Sequence, residues 1–177
     1  EGRALLNVIA DLDLILDLSH AADESFLEAL DRFEGTVIVS HANPRVFVRD
    51  HPYPERFLTD EMIRRVAERD GVIGIVPYNR FVKNGWPLHG PKDAVAVDDV
   101  AALIDHVCQV TGRAAHVGLG SDFDGGFGVE SVPAEIDTVA DLQKIGAALQ
   151  ARGYSEEDAA GVLGQNWITL LRRGLPA

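Results

Sequence analysis

The 177 residues are 46% apolar and 25% charged, ordinary proportions that supply one sizeable core and exclude a disordered or fibrous chain. A formal net charge of −12, with the cations scattered singly or in pairs, excludes the clustered Lys and Arg that hold a phosphate backbone, so nucleic acid is not an expected partner. No run approaches the roughly 18 apolar residues of a membrane span, and no basic-then-apolar leader opens the chain, so a soluble, cytoplasmic protein is expected.

The chain opens on Glu1 and its only methionine is Met62, which reads as a processed product or a piece of something longer. Leu5, Leu6, Val8 and Ile9 among polar residues predict a helix from Gly2 to about Asp11. A strand over Leu14–Ser19 follows, then a helix over Ala22–Phe33 with Phe26, Leu27, Leu30 and Phe33 at helical spacing, and a strand over Thr36–Ser40 after the turn at Gly35. Pro44, Pro52 and Pro54 forbid regular structure between His41 and Leu58. Thr59 is a helix cap, and Met62, Ile63 and Val66 form the apolar face of a helix running to about Asp70. Gly71–Pro77 is a third buried strand, followed by a loop. The helix Val97–Val110 carries the lone Cys108 in its core face and closes at Gly112. One cysteine excludes an intrachain disulfide and fits a reducing compartment. A fourth strand, Ala115–Ser121, ends on Asp122-Phe-Asp-Gly-Gly126, and three helical stretches complete the chain: Thr138–Ala151, Ser155–Gly164 and Asn166–Arg173.

A helix followed by four rounds of strand and helix, with no break in composition, predicts an α/β fold with a parallel sheet. Four units are half of a (β/α)8 TIM-type barrel, which takes about 250 residues; an open doubly wound sheet is the alternative. A half barrel leaves two open strand edges. They call for a missing N-terminal half, a partner chain, or a second copy in a homodimer.

Chemistry in such folds gathers at the carboxyl ends of the strands. Two of these strands end on the same dipeptide, Ser19-His20 and Ser40-His41; the others end on Tyr78-Asn79 and Asp122. Neighbouring strands lie about 4.8 Å apart, so two imidazoles and a carboxylate converge there as ligands or bases for a metal of the zinc type. Asp17, one place off the register of His20, is expected as a buried group behind them. His51 and His89 fall in loops and are expected at the surface, while His106 and His116 are expected to pack or hydrogen-bond. Gly118-Leu-Gly120 is a weak phosphate-loop signal without the full glycine fingerprint, and Ser-His without a nucleophile elbow does not make a serine hydrolase.

Four motifs, in order, carry a resemblance: Leu16-Asp-Leu-Ser-His20, Ser40-His-Ala-Asn43, Arg56-Phe-Leu-Thr-Asp-Glu61 and His116-Val-Gly-Leu-Gly-Ser-Asp-Phe-Asp-Gly125. With the closing Gly164-Gln-Asn-Trp167, they make residues 1–177 resemble the C-terminal half of the membrane (renal) dipeptidase family. The resemblance implies a (β/α)8-type barrel with two bridged zinc ions that hydrolyses dipeptides. It implies that His20 and His41 ligate zinc, that Asp122 is the catalytic, substrate-contacting carboxylate handling the proton between water and leaving amine, and that Arg56 holds the substrate's terminal carboxylate. The family's first-half ligands, a His-x-Asp pair and a bridging glutamate, have no counterpart here. Two other readings stay open: a related metal hydrolase acting on another amide or ester, and a non-catalytic half-barrel used for assembly.

Overall fold

Short-range signals place the helices of the computed structural model, which describes residues 1–175. The chain runs α1 (Gly2–Asp11), β1 (Leu16–Asp17), α2 (Asp23–Arg32) and β2 (Val37–Val39). The proline-rich connection holds only two 3-10 turns, Arg45–Phe47 and Pro54–Arg56. Then come α3 (Asp60–Glu68), β3 (Val72–Ile75), the short α4 (Asn79–Val82), α5 (Val97–Thr111) and β4 (Val117–Leu119). The chain closes with α6 (Gln143–Ala151), α7 (Glu156–Ala160) and α8 (Asn166–Gly174), the last two joined through a π turn at Gly161–Gln165. Thr59 Oγ1 accepts from the Met62 N–H at 3.3 Å, as a helix cap should, and α5 ends where Gly112 takes φ +77°. The one helix missed by periodicity is α4: a single turn is too short to show a period.

All four strands are parallel and lie in chain order, β1-β2-β3-β4. A doubly wound sheet reverses direction part-way; this one adds each strand on the same side, which is the winding of half a (β/α)8 barrel. One face, including Val37, Val39, Ile73, Ile75 and Val117, is fully buried in a core continuous with Phe26, Ile63, Val66, Leu103, Ile104 and Ile145 from the helices. Each such side chain contributes roughly 1.5–3 kcal/mol by leaving water. Across the other face runs α8. Trp167 lies against Gly118 of β4, where any Cβ would strike the indole, and Arg173 donates to the Asp70 carbonyl ahead of β3 at 2.7 Å. The glycines of Gly118-Leu-Gly120 thus serve packing, not phosphate: Gly120 and Gly74 make room for the Ser40 carbonyl.

The strands are shorter than expected because side chains intercept the ladder at their ends. The Ser19 and Ser40 N–H groups both donate to Asp17 Oδ1 at 3.0 Å, and the Val76 N–H donates to Asn43 Oδ1 at 2.8 Å. The buried strand expected over Leu14–Ser19 is two residues long, and Leu14 is 50% exposed. As the edge strand it has a neighbour on one side only. Asp17, expected to be buried, is exposed there for the same reason.

Candidate metal centre and active site

β1 and β2 deliver their terminal histidines to one point. His20 Nε2 and His41 Nε2 lie 3.0 Å apart, with ring planes inclined at 61°. His20 reaches it from a left-handed backbone, φ +66°, and Asp122 at the end of β4 takes φ +52°; such conformations are uncommon outside glycine and concentrate at functional sites. The Asp122 turn is closed by the Gly125 N–H donating to the Asp122 carbonyl at 2.8 Å, and its carboxylate folds over Gly125, where a side chain would collide with it.

The His41 ring is held from behind. Its Nδ1 lies 2.7 Å from Ser40 Oγ, and the Ser40 hydroxyl donates to Asp17 Oδ2 at 2.5 Å. Its backbone N–H donates to Ser19 Oγ at 3.1 Å. Asp17 is partly desolvated, which opposes its ionisation, but the hydrogen bonds from the Ser40 hydroxyl and from the Ser40 and Ser19 backbone outweigh this and hold its carboxyl below the usual range. Desolvation of the His20 ring, then the positive field of Arg56 and the nearby His41, lower its pKa against the opposing pull of Asp122 and Asp17. His20 is therefore a neutral imidazole at neutral pH, with a lone pair to offer.

Two imidazoles on one tetrahedral zinc, with bonds of about 2.0–2.1 Å, hold their nitrogens roughly 3.3 Å apart. The His20–His41 pair fits such an ion. Among the described residues no cluster of three or more His, Cys, Asp or Glu is placed to hold a metal, so the two imidazoles by themselves would leave such an ion short of ligands.

Arg56 is brought to the same place by the proline-rich connection. Arg45 ties that connection down: it forms a two-pronged pair with Asp23, at 2.9 and 2.6 Å, and donates from Nε to the Phe57 carbonyl at 3.1 Å. The Arg56 guanidinium then donates to the His41 carbonyl at 3.0 Å and lies over the Phe81 ring, 5.4 Å from its centroid. Burial lowers its pKa, opposed by Asp122 and Asp17, yet a guanidinium stays charged. Phe81 meets Tyr78 at 4.9 Å, and Tyr78 stacks on Phe127 at 4.4 Å. The floor of the site is thus aromatic, and beside Asp122 the side chains of Phe123 and Phe127 border an apolar cavity of about 210 Å³.

His20, His41 and Asp122 therefore share one end of the sheet, as their strand-end positions predicted, and the proline-rich connection brings Arg56 to them. Tyr78 is in this floor, whereas Asn79 is fully buried and donates to the Val132 carbonyl at 3.1 Å. His51 corrects an expectation: the folded-back connection half-buries it, edge-on to Phe57 at 4.8 Å and Phe81 at 5.6 Å, rather than leaving it free at the surface. His89 is exposed, His106 pairs with Asp60 at 2.8 Å, and His116 is buried between the Gly71 carbonyl and Arg113. Sequence reasoning did not assign Ser19, Ser40 or Arg45. The repeated Ser-His dipeptide was the available signal for the serines.

The model of the membrane dipeptidase family, peptidase family M19, matches residues 1–174. An uncharacterized dipeptidase of Schizosaccharomyces pombe is 33% identical over 165 residues, covering 93% of this chain and 37% of that protein. A metallopeptidase structure from Rhodobacter sphaeroides, liganded with a phosphinate mimic of the dipeptide L-Ala-D-Ala, superposes with a TM-score of 0.80 at 27% identity, over 98% of this chain and 46% of that one. The structure of dipeptidase AC, of family M19, gives 0.81 at 28% identity over 99% and 48%. The chain thus spans less than half the length of each. Among the described residues no helix is long and apolar enough to cross a membrane.

Proposed function

This chain belongs to the membrane dipeptidase family, peptidase family M19, and on that premise we propose that it forms the second half of the active face of a zinc-dependent dipeptidase. The observation that supports this best is the convergence of two imidazole nitrogens at 3.0 Å beside a half-buried guanidinium. His20 and His41 hold one zinc of a two-zinc site, whose other ligands come from the half of the relatives' length that this chain does not span. Zinc there supplies a Lewis acid that lowers the pKa of its water and polarises the scissile carbonyl.

The chain's own residues do the rest. Arg56 spends one N–H on the His41 carbonyl and offers its remaining donors to the terminal carboxylate of the dipeptide, a task its planar fork suits. That contact orients the peptide bond toward the histidines and Asp122. The Asp122 carboxylate takes the proton of the attacking water and returns it to the leaving amine. Phe81 and Tyr78 keep bulk water from the underside of the site.

The test is hydrolysis of a dipeptide panel by the zinc-loaded full-length protein. His20→Ala is expected to lose metal and activity together. Asp122→Asn is expected to keep metal and lose about 10²–10⁴-fold in turnover. Arg56→Ala is expected to raise KM for dipeptides while leaving dipeptide amides unaffected. Normal turnover by Asp122→Asn would remove its assigned role, and a zinc-loaded protein that cleaves no dipeptide would remove the reading itself.

A further inference from the structure

His41 Nδ1 is linked to Asp17 through Ser40 by two hydrogen bonds, and the carboxylate sets their direction. Asp17 Oδ1 is occupied by two backbone donors, the N–H groups of Ser19 and Ser40, each at 3.0 Å. This aims Oδ2 at Ser40 Oγ, 2.5 Å away. An ionised carboxylate only accepts, so the single proton of Ser40 lies between these oxygens; without it two lone-pair-bearing oxygens would face each other at that distance. Ser40 Oγ therefore accepts from His41 Nδ1, 2.7 Å away. In the neutral form of the ring the proton is thereby held on Nδ1, and Nε2 carries a lone pair toward His20 Nε2.

We propose that Asp17 is a positioning residue that acts through Ser40 to fix the His41 tautomer with Nε2 unprotonated, and so sets how strongly this imidazole binds a metal. The role of the tautomer in zinc binding rests on the reading of His41 as a ligand; the tautomer itself does not. Histidine ligands gain orientation and basicity when the other ring nitrogen donates to a negatively charged system, and losing such a partner weakens metal affinity about 10–100-fold. Here the charge reaches the ring through a serine hydroxyl, which lets an exposed carboxylate at the sheet edge act on a half-buried imidazole.

The discriminating variant is Asp17→Asn, which keeps size and shape. Its single oxygen is needed by the two backbone N–H groups, so its amide nitrogen faces Ser40 Oγ as a donor. The Ser40 proton then turns away from residue 17, toward Ser19 Oγ at 3.1 Å or His41 Nδ1 at 2.7 Å; taking the shorter contact, it leaves the ring as the Nε2–H tautomer. A carboxylate-to-amide exchange reverses an imidazole in the same way in serine-protease triads. In the metal-free full-length protein, imidazole nitrogen-15 resonances are expected to assign His41 as Nδ1–H in the parent and Nε2–H in Asp17→Asn. Zinc affinity, read by chelator competition, is expected to fall about 10–100-fold. Ser40→Ala, which breaks the chain without reversing it, is expected to weaken zinc by a similar factor and to leave a mixture of tautomers; it carries the test if Asp17→Asn does not fold. An unchanged His41 tautomer in both variants overturns the proposal, as does a reversed tautomer with zinc affinity unchanged. A parent protein that binds no zinc at His20 and His41 refutes the proposed function, and the resonances still decide the relay.

Discussion

Ser-His closes both β1 and β2, yet the two copies have different surroundings. Ser40-His41 stands on a strand paired on both sides; its serine is engaged by Asp17 and its imidazole is tied through Nδ1. Ser19-His20 stands on the edge strand. Ser19 serves the other copy, accepting the His41 N–H, while His20 is exposed and, among the described residues, its only hydrogen-bonding neighbour is His41 Nε2. Identical dipeptides thus become a supported imidazole and an open one. A side chain's chemistry is set by the strands on either side of it as much as by its own identity.

The largest test of that contrast between centre and edge is in the core. Ile73, fully buried in β3, should cost about 2–5 kcal/mol on truncation to Ala, through lost transfer energy and an unfilled cavity; urea unfolding measures it. Next in size is Ser19→Ala, which leaves the half-buried His41 N–H without its acceptor. It should cost about 1–2 kcal/mol in the same assay while leaving the His41 tautomer unchanged, because Ser40 still accepts from Nδ1. A cost above that of Ile73→Ala would make the edge, not the centre, the critical support.

A third histidine sharpens the contrast by pH. His116 is buried and neutral: Nδ1 bonds the Gly71 carbonyl at 3.0 Å, and Nε2 accepts from Arg113 at 2.8 Å. Burial is the main cause of its lowered pKa, the Gly71 bond opposes it, and Arg113 adds to it. As pH falls below the ordinary value of 6.5, the unfolded chain therefore takes up a proton before the folded one. Stability is complete above that pH, declines as pH drops toward the folded-state value, and then levels. The slope stays under about 1.4 kcal/mol per pH unit for one proton. His20 and His51, shifted the same way, add to it, so His116→Gln should reduce the slope without abolishing it. Asp17, whose carboxyl is lowered, loses its contribution only at more acid pH, below about 3.8. The smallest effect is expected at Leu14, half exposed beside the edge strand: Leu14→Ser should move stability by no more than about 0.5 kcal/mol.

Which of these features could be read before folding follows sequence separation. Thr59, Gly112 and Ser155 announce helix ends because a cap acts within a turn or two of itself. Strand ends at His20, His41 and Asp122 are visible because an apolar run stops there. Asn43 is not: its carboxamide matters because it reaches Val76 and Phe81, more than thirty residues away. Arg45 and Ser40 were missed for the same reason, their partners Asp23 and Asp17 being brought close only by the winding of the sheet. His51 was misjudged because a proline-rich segment has no periodicity from which to read which way it folds.

Hydrophobic period and punctuation in the chain suffice to specify four strand–helix units and to put two histidines and an aspartate at strand ends, because those signals are local. Tertiary packing alone decided that the strands lie in chain order, that β1 is an edge, that Arg56 arrives over Phe81, and that one serine links a carboxylate to an imidazole. Each of these requires residues distant in the chain to meet, and the direction of a proton along such a contact exists only once all its partners are in place.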